Sequence, residues 1–264
     1  MDIPAASWHQ AIAVRRSRRQ YTGEPLAPEM EKKLRAFVDR WNGTVEGARI
    51  VFVARDPDKV FKGAIGSYGK IKGAPVYAAF IGNMAHPNVQ ENTGYLGEGF
   101  ILEATAMGLS TCWVGGFFDP KAVAEQIELR PQERVLSVTP IGYAPKEYNF
   151  LEKMMAGISA GHQRKDVSQL CKEPLGPDNP AWVKAALEAA RLAPSAVNRQ
   201  PWRFSVDNDG ITVWVDDLKD TYHIAKRLDC GIAMLHLEAG ARQSDVKGSW
   251  EYLESPGVAK FVTA

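Results

Sequence analysis

The sequence predicts an α+β protein in three α/β layers, built from two similar halves fused in one chain. Three observations predict it. Segments with helical apolar spacing alternate with short apolar runs that read as strands. The order of elements begins again after a linker at 144–163, and two short motifs recur beyond it. At 264 residues, 45% of them hydrophobic, the chain can bury one large core or two smaller ones.

The first half is read as residues 1–163 and the second, trimmed half as 164–264. In the first, residues 8–21 read as a helix running into the basic run Arg15-Arg16-Ser17-Arg18-Arg19. After a Pro25/Pro28 turn, Met30, Leu34, Phe37, Val38 and Trp41 give helical apolar spacing over 29–41. Strands are expected at 48–54 and 75–81, separated by a Gly- and Lys-rich loop at 62–73. The most apolar helix is expected at 92–108, with Gly108 as its stop. A loop with paired glycines (112–117), a short helix (120–127) and a strand (134–143) complete this half. In the second, a helix is expected at 179–192, a hairpin around Asn208-Asp209-Gly210, and a helix at 224–242.

Internal repetition is weak but ordered. RRSRRQYTGEPLAP (15–28) aligns without gaps on RKDVSQLCKEPLGP (164–177), sharing Arg, Gln, Glu, Pro, Leu and Pro. Leu102-Glu103-Ala104 recurs as Leu237-Glu238-Ala239 in the middle of each long helix. Duplication is preferred to the alternative, coincidence between two ordinary α/β stretches.

Composition narrows the function. A net charge of +1 gives no basic excess for nucleic acid. No apolar stretch approaches the ~20 residues that a membrane span needs, so no membrane role is expected. The start lacks a signal-peptide pattern. Three separated cysteines without a CxxC pair suit a reducing, cytoplasmic setting. The five histidines show no metal-ligand spacing, so no metal site is expected. His236, among apolar neighbours, reads as a core histidine, and no P-loop or Ser-His-Asp order is present.

Several segments carry chemistry. Ala193 to Phe204 (APSAVNRQPWRF) joins a helix to a strand, and its two prolines stiffen the turn. Ser195, Asn198 and Gln200 there offer donors and acceptors to a small ligand, or equally to local backbone groups. The guanidiniums of 15–19 suit a phosphate, although a charge run is more often a solvated face. Gly108 to Phe117 (GLSTCWVGGF) carries the paired glycines, and Cys112 within it reads as a buried structural thiol. Lys70 and Lys72 read as solvated loop lysines, with contact to a ligand as the alternative.

These segments resemble motifs of the nitroreductase-like FMN-dependent flavoproteins. A-P-S-x-x-N-x-Q-P-W-x-F matches at each fixed position and implies flavin contacts from Pro194, Ser195 and Asn198, with Gln200 also nominated. The R-R-S-x-R-x-F motif implies that Arg15, Ser17 and Arg19 bind the FMN phosphate and ribityl chain. Arg16 fills the variable place, and Tyr21 replaces the usual Phe. The G-L-G-T-C-W-x-G-G-F motif, with Ser110 for a glycine, lays its loop along the flavin ring. It nominates backbone groups of Val114, Gly115 and Gly116, because glycine allows close approach. The closing strand and turn of the family resemble Pro140 to Pro145. A basic pair late in the family's domain nominates Arg164, which is also the repeat partner of Arg15.

The typical family member is a homodimer with two interfacial flavins. Here the arginine run and Gly-Gly loop lie in the first half and the Pro-Ser-x-x-Asn segment in the second, so the surviving parts add up to one composite site. Residues 41–46 lack the Pro-Ser segment, and Ser168 stands opposite Arg19. The pattern resembles the TM nitroreductases, whose single chains mimic the dimer. The resemblance implies a nitroreductase-like fold, FMN as cofactor and NAD(P)H as reductant. It implies ping-pong hydride transfer to an electron-poor small molecule, nitroaromatic or quinone-like, in a monomer acting as a pseudo-dimer. No side chain is expected to be catalytic in itself; Gly115, Gly116 and Arg19 would tune the flavin. The alternatives are a flavin-binding carrier or sensor, and a non-catalytic protein of this fold acting through protein contacts.

Overall fold

The computed structural model describes residues 3–62, 71–148, 152, 163–220 and 223–264. The first half contains α1 (Ala5–Val14), α2 (Pro28–Trp41), β1 (Ala48–Val53), α3 (Pro57–Phe61), β2 (Val76–Asn83), α4 (Val89–Ala106), β3 (Ser110–Thr111), α5 (Pro120–Ala124) and β4 (Glu133–Gly142). The second contains α6 (Val167–Leu170), α7 (Ala181–Arg191), a 3-10 turn (Ala196–Asn198), β5 (Trp202–Asp207), β6 (Gly210–Val215), α8 (Lys226–Gln243), β7 (Gly248–Tyr252) and β8 (Gly257–Thr263).

Each half carries a four-stranded antiparallel sheet, and the strand orders correspond: β1-β2-β4-β3 and β5-β6-β8-β7. α4 packs on the first sheet, α8 packs on the second, and the two helices pack on each other. Both are buried almost all round, which explains why neither shows a clean apolar stripe. Their crossing depends on two glycines. A Cβ on Gly94 would lie 2.0 Å from the Leu228 carbonyl oxygen, and one on Gly231 would lie 2.0 Å from that of Glu91. The backbones therefore touch, and α1 lies against both helices.

α2 shows how local sequence writes a helix. Pro28 starts it, Glu29 and Glu31 sit in its first turn, and Arg40 sits in its last. Its Leu34, Phe37, Val38 and Trp41 are buried. Trp41 meets Trp8 edge-to-face at 5.2 Å and donates from Nε1 to the Leu96 carbonyl at 2.9 Å.

One expected element is different. The helix expected over 8–21 ends at Val14. Residues 15–21 run extended, with Ser17 bridging Thr111 and Gln20 bridging Lys72. Arg18 N–H donates to Thr111 O at 2.9 Å, and Tyr21 N–H to Lys72 O at 3.0 Å. Edge pairing satisfies the backbone more usefully here than another helical turn. α3, α6, β3, β7 and β8 are elements that the sequence patterns did not announce. Among the described residues, no helix is long and apolar enough to cross a membrane.

Candidate functional site

A cavity of about 490 Å³ opens where α1, the extended arginine run, the loop after β3, the loop after α7 and the start of α8 converge. That is within the ~300–1,000 Å³ of small-molecule and cofactor sites. The extended backbone explains the basic wall. Side chains alternate along a strand, so Arg15, Ser17 and Arg19 line the cavity, joined by Arg16. Arg18 turns away, pairs with Glu152 at 3.2 Å and donates to the Pro145 carbonyl at 2.8 Å. Glu152 Oε1 also accepts the N–H groups of Arg19 at 2.8 Å and Gln20 at 3.3 Å. Sequence reasoning missed Arg18 and Glu152 as the clamp that fixes the run; nothing local marks Glu152.

The basic groups crowd one another. Arg15 is 6% exposed, its Nε has no hydrogen bond, and its closest charged partner is Glu98 at 3.9 Å. Burial lowers its pKa, only partly offset by Glu98. Burial, followed by repulsion from Arg15, Arg16 and Arg191, lowers that of Arg164 to about 10. Cations held out of water and close together favour an anion among them.

The opposite wall comes from the second half. Pro194, Ser195, Ala196, Val197 and Asn198 line it. Val197, Asn198 and Gln200 take positive φ (47°, 57° and 49°). For the β-branched Val197 this is strained, at a cost of ~1–3 kcal/mol. Hydrogen bonds hold the loop. Gln200 N–H donates to Ser195 Oγ at 2.9 Å, Asn198 Oδ1 accepts from Arg164 Nη1 at 2.6 Å, and Gln200 Oε1 accepts from Lys165 N–H at 2.8 Å. Asp229 of α8, 2% exposed, also lines the cavity. It accepts from Ala196 N–H at 3.2 Å and from Arg199 Nε at 2.7 Å. Burial raises its pKa to about 6, with Arg199 offsetting part of the rise. Asp229 and Arg199 carried no signal in the sequence.

Ile12, Trp113, Leu192, Ile224, Leu228 and Ile232 give the lining its apolar part, and Ser137, Tyr148 and Glu152 add polar groups to it. Trp113 Nε1 donates at 2.6 Å to Glu98, a fully buried carboxylate that also meets His236 Nε2 at 2.8 Å. His236 Nδ1 meets the Ala189 carbonyl at 3.1 Å, so this histidine is a satisfied core group.

The structure brings together Arg15, Arg16, Ser17, Arg19, Gly115, Arg164, Pro194, Ser195 and Asn198 around this cavity. It leaves three nominated residues off the wall. Val114 N–H is taken by the Val138 carbonyl at 2.9 Å, Gly116 is exposed, and Gln200 is the loop's internal brace. Gly115 N–H makes no hydrogen bond among the described residues. Cys112 is buried. Lys72 is exposed off the cavity wall, and Lys70 lies outside the described residues.

The fold is α+β, and its arginine-lined cavity takes residues both from the segment before 153 and from the segment after 163. The model of the family described as "Putative TM nitroreductase" matches residues 8–241, and the chain belongs to that family. Among solved structures, a nitroreductase of Thermotoga maritima, itself titled "putative", is 18% identical. The match covers 97% of this chain and 93% of that one at a TM-score of 0.64, which shows a shared fold across both halves. A nitroreductase family protein of Clostridium difficile is 18% identical over 64% of this chain and 98% of its own, at a TM-score of 0.47. An FMN-dependent nitroreductase of the same species is 19% identical over 53% and 91%, at 0.43. No curated protein matches the chain.

Proposed function

We propose that this cavity holds FMN and that the protein is an FMN-dependent NAD(P)H oxidoreductase acting on electron-poor small molecules. The observation that carries the reading is Arg15. A guanidinium that is 6% exposed, opens on the cavity, has no hydrogen bond at its Nε and meets Glu98 only at 3.9 Å gains from a further anion bound beside it. The lining fits the group: it offers four arginines, Ser17, Ser195 and Asn198 as polar partners and aromatic and aliphatic side chains besides, while its two carboxylates, Glu152 and Asp229, are paired with Arg18 and Arg199. Arg15, Arg16, Ser17, Arg19 and Arg164 would hold the phosphate and ribityl chain. Pro194, Ser195 and Asn198 would close the site from the second half.

Bound FMN would supply a two-electron centre that takes hydride from NAD(P)H and passes it to a nitroaromatic or quinone-like acceptor by ping-pong. The chain's part is to bind and orient. Gly115 offers a free N–H to the ring, Trp113 and Ile224 exclude water, and Arg19 supplies positive charge where negative charge builds.

One site per chain is the stoichiometry that the lining supports. A second cavity, of about 390 Å³, is lined by Thr44, Glu46, His86, Asn92, Tyr95 and Trp250, among others. These follow α2, flank the start of α4 and lie on β7, the strand that matches β3 in sheet order, which supports a matching place for this cavity in the other half. Among the described residues, no arginine lines it. The corresponding sheet orders also favour duplication, with a single chain acting as a pseudo-dimer.

The test is an absorbance spectrum of the purified protein, followed by FMN titration of the apoprotein and mixing with NADH or NADPH. One flavin per chain, reduced on mixing, is expected. A colourless protein that takes up no FMN overturns the reading. Bound flavin that neither nucleotide reduces at a useful rate leaves the carrier reading in its place.

A further inference from the structure

Asp229 stands at the start of α8 and reaches the loop that closes the cavity from the second half. Ala196 N–H and Arg199 Nε both end on its carboxylate, and Arg199 Nη2 also donates to the Ile224 carbonyl at 3.0 Å. The four residues 197–200 contain three non-glycine positive φ angles. A loop in that conformation persists only where its surroundings over-determine it.

We propose that Asp229 is the positioning residue of this loop: its ionised carboxylate holds Ala196 and Arg199, so that Ser195 and Asn198 face the cavity, and protonation of that one group releases them. The expected consequence is a ligand affinity that falls in mild acid. Burial, the dominant influence on Asp229, has already brought its titration to about 6. Arg199 and Ala196 both hold the titration down against burial, so a carboxylate that stays enclosed but loses them binds its proton more tightly, and protonation favours the released loop even though burial as a whole favours the protonated folded state.

Other charged groups surround Asp229. Arg199 faces it from the loop, and Asp220 from the segment before α8. Glu91, held by Arg227 at 2.6 Å, sits on the facing α4, and Cys230 is its neighbour in sequence. Lys226, paired with Asp216 and Asp217, precedes it by a turn. Arg15, Arg16, Arg19 and Arg164 face it across the cavity. His223 lies on the same approach to α8, so the test must separate it from Asp229.

The first arm uses the apoprotein and is independent of the flavin reading. Hydrogen–deuterium exchange of peptides covering 194–200, corrected for intrinsic rates, is measured at pH about 7.5 and about 5. About a tenfold loss of protection at the lower pH is expected in the natural sequence. D229N should show the low protection at both pH values, and R199Q should loosen the same peptides at pH about 7.5 without removing the carboxylate. The second arm rests on the flavin proposal: FMN affinity, followed by quenching of flavin fluorescence, should fall about tenfold over the same interval and become flat in D229N. Protection that does not change with pH, or a pH response that survives in D229N, overturns the proposal. Absence of FMN binding at either pH would sink the flavin reading alone, since the exchange arm would still report on the loop.

Discussion

Arg15 concentrates the tension of the site in one side chain. Its guanidinium is buried, near Glu98 but not hydrogen-bonded to it. Replacing it with Met fills similar volume without the desolvation penalty. R15M should therefore leave apoprotein stability unchanged or raise it by ~1 kcal/mol, while weakening FMN binding at least ~10-fold, about 1.4 kcal/mol. Urea denaturation and flavin titration measure the two effects. A large stability loss with unchanged affinity would remove Arg15 from the ligand site. Asp229 shows the same tension in its pH dependence. Its folded pKa, about 6, lies above the ordinary carboxylate value of 3.8. The folded protein therefore binds the proton more tightly than the unfolded chain does. That contribution favours folding below the lower value and is lost as pH rises through the window between them, ~3 kcal/mol in all. Denaturation at pH ~4 to ~7 should show the stability of D229N gaining on that of the natural sequence as pH rises. A constant difference across that range would contradict it.

Elements decide how these side chains meet. Two long helices can pair Glu98 with His236 and bring Asp229 to the cavity because Gly94 and Gly231 let their backbones touch. G94A and G231A should each destabilise the protein by about 3 kcal/mol, since the clash is with carbonyl oxygen rather than with a movable side chain. A shift of the urea midpoint worth less than ~0.5 kcal/mol would show that the crossing is looser than the structure indicates. Caps act locally and at smaller scale. Asp119 accepts the N–H groups of Lys121 at 2.9 Å and Ala122 at 3.2 Å at the head of α5. D119A should cost ~1 kcal/mol by thermal denaturation, without affecting flavin binding. The arginine run teaches the complementary lesson. Its composition is compatible with a helix, and its backbone is extended because edges at Thr111 and Lys72 are there to pair with it. Pairing partners 94 and 52 positions away (111 − 17 and 72 − 20) leave no local trace.

At the scale of the molecule, the cavity draws its lining from two parts of the chain, residues before 153 and residues after 163. Ligand binding should therefore couple the two. FMN at ~100 times its dissociation constant should raise stability by ~2.7 kcal/mol, in a single cooperative transition. Calorimetry that resolves two transitions, only one of them moved by FMN, would show that one half holds the ligand alone. What the sequence determined by itself is what short-range chemistry writes: the long amphipathic or apolar helices and the hairpin at Asn208–Gly210, together with the nomination of Arg15, Ser17, Arg19, Gly115, Ser195 and Asn198, which the structure sets around one cavity. Each depends on periodicity, turn propensity or a fixed local spacing. Only the tertiary structure decided that Val114 spends its N–H on Val138, that Arg18 is clamped by Glu152, and that Asp229 braces the strained loop. Those outcomes depend on burial and on partners distant in sequence. The desolvation that gives such contacts their energy exists only after the chain has closed around them.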